Sequence, residues 1–180
     1  MKKLTPYQEN VINFLYETIK SVREGKFQIH IGFIHDCIRN YPEIAIDGKG
    51  SWQKIERYKK YHRISERAAK LLENGQYKDW RDFHYEHVIP ASVTKKRILS
   101  LINKEDFQKS DVQEALSDSE VIILTKEEAR VLDGSPNKTY LLEGHEVTGA
   151  GMKTSGTLEE RLESIGASLS KKYINNNLFG

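Results

Sequence analysis

The sequence predicts an α+β fold: a mostly helical single domain around a small antiparallel hairpin. Three observations predict it. Apolar residues recur at helical spacing in several separate segments, with capping residues before them. Two short segments read as strands, Phe83 to Pro90 and Glu120 to Thr125. The chain has 180 residues, 38% of them apolar and 30% charged, which suits one real core and not two independent ones.

The elements follow in order. Thr5-Pro6-Tyr7-Gln8 has the form of a capped helix start, with Thr5 as cap, Pro6 in the first helical position and Gln8 completing a capping box. Val11, Ile12, Phe14, Leu15, Ile19 and Val22 then mark one helical face, which Gly25 ends. Phe27 to Ile34 alternates like a strand, yet Ile34, Ile38 and Tyr41 equally fit a helix ending before Pro42. Asp47-Gly48-Lys49-Gly50-Ser51 reads as a turn. Trp52 to Asn74 is helical and basic, and Gly75 closes it. Residues 92–103 and Asp111 to Leu116 predict two further helices. Thr125-Lys126-Glu127-Glu128 is a capping-box start for a helix reaching Leu132, and Thr157 to Ile165 is a last amphipathic helix. Residues 144–156 are glycine-rich and predict a loop, and Asn175 to Asn177 a frayed tail. These signals divide the chain into a helical, basic region (1–82), a hairpin-and-helix segment with a helical insertion (83–133) and a C-terminal loop and helix (134–180). No internal repeat is present.

Composition excludes several classes. No apolar run approaches the length of a membrane-spanning helix, and Lys2-Lys3 is followed by no apolar stretch of a signal peptide. The single cysteine, Cys37, excludes an internal disulfide framework and a paired-cysteine zinc site. A cytoplasmic protein without membrane association is the expectation. The net charge of +2 conceals an asymmetry: residues 1–48 are neutral, residues 49–104 carry net +8, and residues 105–180 carry net −6. A basic middle region points to a polyanionic partner, and solvated lysine-rich helices are the plain alternative.

Chemistry concentrates in Glu86-His87-Val88-Ile89-Pro90-Ala91-Ser92. A carboxylate at a strand end can hold a hard divalent cation through oxygen. A neighbouring imidazole, with its pKa near neutrality, can take a proton from water. Strand neighbours point to opposite faces, so the pair can act together only where the strand ends, and Pro90 supplies that end.

The stretch Glu86-His87-Val88-Ile89-Pro90, with Ser92, resembles the first half of the HNH, or ββα-metal, nuclease motif. Ile122-Ile123-Leu124-Thr125-Lys126-Glu127-Glu128 is similar to its second half, a strand running into a short helix. The resemblance covers Phe83 to Asp133. It implies a ββα-metal hairpin-plus-helix and a metal-dependent endonuclease of restriction or phage-associated type, hydrolysing phosphodiester bonds, with DNA the expected partner ahead of RNA. It also implies a divalent ion, Mg²⁺ or Mn²⁺. His87 would be the general base, and Glu86 with Glu128 the metal ligands, with Glu127 as substitute for Glu128. The sequence departs from the family pattern at Ala129, where the helix often carries His or Asn. The halves are also unusually far apart, with 41 positions from His87 to Glu128. Asn103 is the candidate for the asparagine that positions the histidine. A palindromic target would call for a homodimer.

Basic side chains supply candidate nucleic-acid contacts: Lys54, Arg57 and Lys60, interleaved with Trp52, Tyr58, Tyr61 and His62, then Lys95, Lys96 and Arg97 after the motif, and Arg130 on the helix. Gly149-Ala150-Gly151 is a weak phosphate-loop candidate beside the plain reading as a loop. His145, between Glu143 and Glu146, is either an extra ligand or an exposed loop histidine. Three alternatives stand beside the HNH endonuclease. One is a non-catalytic nucleic-acid-binding module with a degenerate HNH fold. Another is a PD-(D/E)xK-type nuclease using Asp36, Asp47 and Lys49. The third is an interaction protein using the acidic C-terminal third.

Overall fold

The computed structural model describes residues 4–26, 28, 31–47, 55, 59–151 and 157–173. It is an α+β structure, mostly helical, with two small sheets. The chain forms two compact units. One comprises residues 1–51, 89–120 and 178–180, and the other 52–88 and 121–177. These units cut across the linear division at 82 and 133. The helical insertion joins the N-terminal helices, and the strands before and after it belong to the second unit. Among the described residues, no helix is long and apolar enough to cross a membrane.

The first unit is helical. Helix α1 (Pro6–Arg23) starts on the expected capping box, in which the Thr5 side chain accepts from the Gln8 backbone N–H and Gln8 reaches back to Thr5. Helix α2 (Ile31–Asp47) resolves the ambiguity of this segment in favour of a helix, and it runs through Pro42 instead of stopping before it. A proline there removes one backbone hydrogen bond, and burial of Pro42 with Ile34, Ile38, Tyr41 and Ala45 keeps the helix in place. Two later helices, α4 (Ala91–Ser100) and α5 (Lys109–Leu116), pack with α1 and α2. Ile12, Leu15, Ile19, Ile98, Val112 and Leu116 complete the core.

The second unit is built on a three-stranded sheet in the order β1-β3-β2. Strand β3 (Val121–Thr125) is central and every residue in it is buried, which explains its unbroken apolar run. Strand β2 (Phe83–His87) pairs with it antiparallel, Phe83 opposite Thr125 and Glu86 opposite Ile122. Strand β1 (Arg63–Ile64) pairs with it in parallel. The sequence pattern reads Trp52 to Asn74 as one broken helix or two short ones, with no strand between. The helix starts only at Glu66, as α3 (Glu66–Asn74), capped by Ser65 and closed by Gly75 in the left-handed conformation. Helix α6 (Lys126–Leu132) follows β3 without a break and packs on β2 and β3.

The expected glycine-rich loop is partly a second hairpin, β4 (Thr139–Leu142) with β5 (His145–Thr148). Its two-residue turn, Glu143-Gly144, has positive φ at both positions (52° and 79°), the geometry that matches the twist of paired strands. Helix α7 (Leu158–Glu163) is shorter than the expected Thr157 to Ile165; Thr157 caps it, and it adds Leu162 to a core with Ile122, Leu124, Val131, Leu132 and Leu142.

Candidate functional site

Directly paired residues of antiparallel strands share a face. His84 lies opposite Leu124, and Glu86 opposite Ile122. Both therefore project on the side of the sheet whose apolar residues pack with Ala129, Val131 and Leu132 of α6. Asp133 is the C-terminal cap of that helix. One ligand atom each from His84, Glu86 and Asp133 lies within 4.8 Å of the other two. His84 Nε2 is 3.5 Å from Glu86 Oε2.

Arg161 of α7 holds the middle member. Its side chain is 4% exposed, against 13% for Glu86, and Nη2 donates to Glu86 Oε1 at 2.7 Å. Nη1 donates to the carbonyls of His87 (3.4 Å) and Val88 (3.3 Å), so one guanidinium fixes the carboxylate and the end of the strand together. One Glu86 oxygen is committed to Arg161, and the other faces His84. Burial pushes the Glu86 carboxyl up, but hydrogen bonds from His84 and Arg161 outweigh it, and the group stays below the ordinary carboxylate range. Asp133 is shifted the other way: burial raises its carboxyl, and the nearby Glu86 charge raises it further. Two carboxylates that repel each other beside an imidazole are a donor set that a divalent cation would relieve.

The turn after α6 places Asp133. The Ala150 N–H donates to the Val131 carbonyl at 3.1 Å, and the Gly151 N–H to the Gly134 carbonyl at 2.7 Å. A Cβ at Gly149 would collide with the Gly134 backbone, and one at Gly134 with the Tyr140 ring. The Gly149-Ala150-Gly151 segment thus braces the end of α6, a structural role in place of the phosphate contact considered from sequence.

Glu128, the expected second metal ligand, is not brought to this cluster. It lies about 140° around the helix from Asp133 and is fully buried. Its Oε2 accepts from the Thr125 N–H (2.9 Å) and the Ser65 hydroxyl (2.6 Å), and Arg67 Nη1 is 3.7 Å from Oε1. Burial raises its carboxyl, and the Ser65, Thr125 and Arg67 contacts oppose that shift. Its work is to cap α6 and tie that helix to Ser65, the cap of α3. The substitute, Glu127, is exposed. Ala129 sits one turn before Asp133 on the same helix face, so the helix does carry a cluster residue there, one turn late.

His87 ends β2 one residue beyond Glu86. Strand alternation turns it to the opposite face, and its Nε2 is buried. His62, a supposed nucleic-acid contact, is fully buried, and burial pushes its imidazole down to about 4, so it is neutral near pH 7. Lys54, Arg57, Trp52, Tyr58 and Lys49 lie outside the described residues. Lys60 and Arg130 are exposed in the unit that holds the cluster. Lys95, Lys96 and Arg97 lie on α4 of the other unit, where Arg97 pairs with Asp118 at 2.9 Å. Asp36 and Asp47 share helix α2, separated by eleven residues or about 16 Å of rise, so the PD-(D/E)xK alternative loses the strand it needs there. Asn103 is exposed in a 3₁₀ turn of the first unit, and His145 is exposed on β5.

The residues missed from sequence are His84, Asp133 and Arg161. The i, i+2 spacing of His84 and Glu86 on a strand was a readable signal. No local pattern marks the other two. No family model, curated protein or solved structure matches the chain.

Proposed function

We propose that this chain is a divalent-cation-dependent phosphodiester hydrolase acting on nucleic acid, DNA first, with His84, Glu86 and Asp133 as its metal centre. The observation that carries the proposal is the convergence of those three side chains between an antiparallel strand pair and the helix that follows it. That element order is the one implied by the HNH resemblance, and the basic stretch of residues 49–104 supplies a reason for a polyanionic substrate.

The donor set fits the group. One neutral imidazole and two carboxylates supply N, O and O donors and a charge of −2, which suits Mn²⁺ or Mg²⁺ better than a soft ion. A cation held there would stabilise negative charge developing on the phosphate oxygens and make water acidic enough to attack near neutral pH. Arg161 orients Glu86 and keeps it ionised. Asp133 stands at the solvent side of the cluster, where a strand can approach. The proposal gives no base role to His87, because its Nε2 is buried and its side chain faces away from the cluster.

Cleavage of supercoiled plasmid with Mg²⁺, Mn²⁺ or EDTA tests this. Nicking is expected only with metal, and should be lost in Asp133→Ala and His84→Ala. His87→Ala should retain it. Loss of nicking in His87→Ala with full activity in Asp133→Ala would return the site to the sequence-derived assignment.

A further inference from the structure

The second unit contains a cleft of about 690 Å³, within the size range of ligand sites. It lies between the C-terminal half of α3, the segment that follows it, the start of α6 and the β4–β5 turn. Arg67, Lys70, Lys78 and Lys126 line it, together with Asn74 and Tyr77. Its charges are not equally available. Arg67 is committed to Glu128 and to Glu143, 3.3 Å away. Asp82 accepts the Lys78 backbone N–H at 2.7 Å. Among the described residues Lys70, Lys78 and Lys126 form no ion pair, and Glu127 is the one lining carboxylate left without a partner. With Arg67 offset by Glu143, the three lysines outnumber Asp82 and Glu127, and the lining keeps a net charge of +1 that favours an anion. Arg67 lines one wall, with its guanidinium between the buried Glu128 carboxylate and Glu143.

We propose that this cleft binds the phosphodiester backbone of the nucleic-acid strand, as a subsite apart from the metal cluster. The two sites stand at opposite ends of α6. Lys126 begins that helix and Asp133 caps its end, about 10 Å along the axis. At 3.4 Å of rise per nucleotide in duplex DNA that is roughly three nucleotides, so one strand reaches both. Lysines serve here as mobile point charges that track phosphates without reading bases. The inference rests on the phosphodiesterase reading for the identity of its ligand, but not for its test.

The test is binding of a short labelled single-stranded oligonucleotide in EDTA, followed by anisotropy across a salt series. The variant Lys70→Ala/Lys78→Ala/Lys126→Ala is compared with a control of equal charge loss, Lys20→Ala/Lys109→Ala/Lys138→Ala, at exposed lysines outside the cleft. Three lost phosphate contacts should lower the salt slope by about 2 and the affinity about 100-fold near 0.1 M salt. The control should keep the wild-type slope. Equal losses in both variants, an unchanged slope in the cleft variant, or no wild-type binding would overturn the cleft assignment. Inorganic phosphate competing as well as the oligonucleotide at equal phosphate concentration would also overturn it, because a single-anion site would then suffice. Plasmid nicking that survives in the cleft variant with unchanged binding would remove the subsite and leave the hydrolase. A cleft variant with lost binding, in a protein that cuts nothing with either metal, would do the reverse.

Discussion

Replacing Glu128 with alanine should destabilise the second unit and leave cation binding intact. The carboxylate accepts from the Thr125 N–H and the Ser65 hydroxyl and neighbours Arg67, all in a buried setting. Loss of the capping interaction costs about 1 kcal/mol. Buried donors left without an acceptor cost about 1–3 kcal/mol more. Two things reduce the total. Ser65 keeps its own capping contact with the Ala68 N–H, and Arg67 keeps Glu143. The site also disfavours the ionised carboxylate, since burial raises its pKa, so removing that charge recovers part of the loss. A net destabilisation of about 2–3 kcal/mol follows, or roughly 5–10 °C in melting temperature for a chain of this size. Asp133→Ala should do the opposite, with a small change in melting temperature and a Mn²⁺ affinity reduced at least about tenfold. Circular dichroism melts and calorimetric Mn²⁺ titration of both variants decide it. A Glu128→Ala protein that melts within ~1 °C of wild type but has lost Mn²⁺ binding would refute the capping account and restore Glu128 as a ligand.

Arg161→Met should cost about 3–5 kcal/mol, because it leaves the half-buried Glu86 without its guanidinium and frees the carbonyls of His87 and Val88; a denaturant melt that hardly moves would contradict it. Gly149→Ala should destabilise by about 1–3 kcal/mol through collision with the Gly134 backbone, and with the turn disturbed Mn²⁺ affinity should weaken as well. Cation affinity should fall on acidification at a pH above the ordinary aspartate value, because Asp133 is raised by burial and by Glu86; titrations across the acidic range would show it. Stability has two opposed carboxylate contributions. Glu86, depressed in the folded state, contributes stability that is full above its unfolded pKa and is lost as pH falls through the folded value. Glu128, raised in the folded state, favours folding below its unfolded pKa, and that contribution declines as pH rises through the folded value, a decline that Glu128→Gln should abolish.

Much of the fold was legible where one local signal sufficed. The capping boxes at Thr5 and Thr125 each sit where the chain turns into a helix. The run Val121 to Thr125 is a strand buried on both faces. What escaped depends on distant partners. Arg63-Ile64 is a strand only because β3 lies beside it, and Pro42 stays within α2 because tertiary burial outweighs the missing hydrogen bond. The β4–β5 hairpin was hidden by the shortness of its four-residue strands and the polar, mostly exposed β5, although Glu143-Gly144 has the form of a hairpin turn. At the site, Glu86 was legible from the motif. Glu128 carried two signals at once, a cap and a ligand, and burial beside Ser65 assigns it to the cap. Asp133 and Arg161 reach Glu86 only through the packing of α6 and α7 on the sheet, which no spacing in the sequence encodes.

The most direct measurement is calorimetric titration of the metal-free protein with Mn²⁺, for the wild type and for His84→Ala, Glu86→Gln, Asp133→Ala and Glu128→Gln. One ion per chain should bind, with affinity lost or sharply weakened in the first three variants and retained in Glu128→Gln. An absence of saturable binding in the wild type, or binding indifferent to His84 and Asp133, would contradict the metal centre.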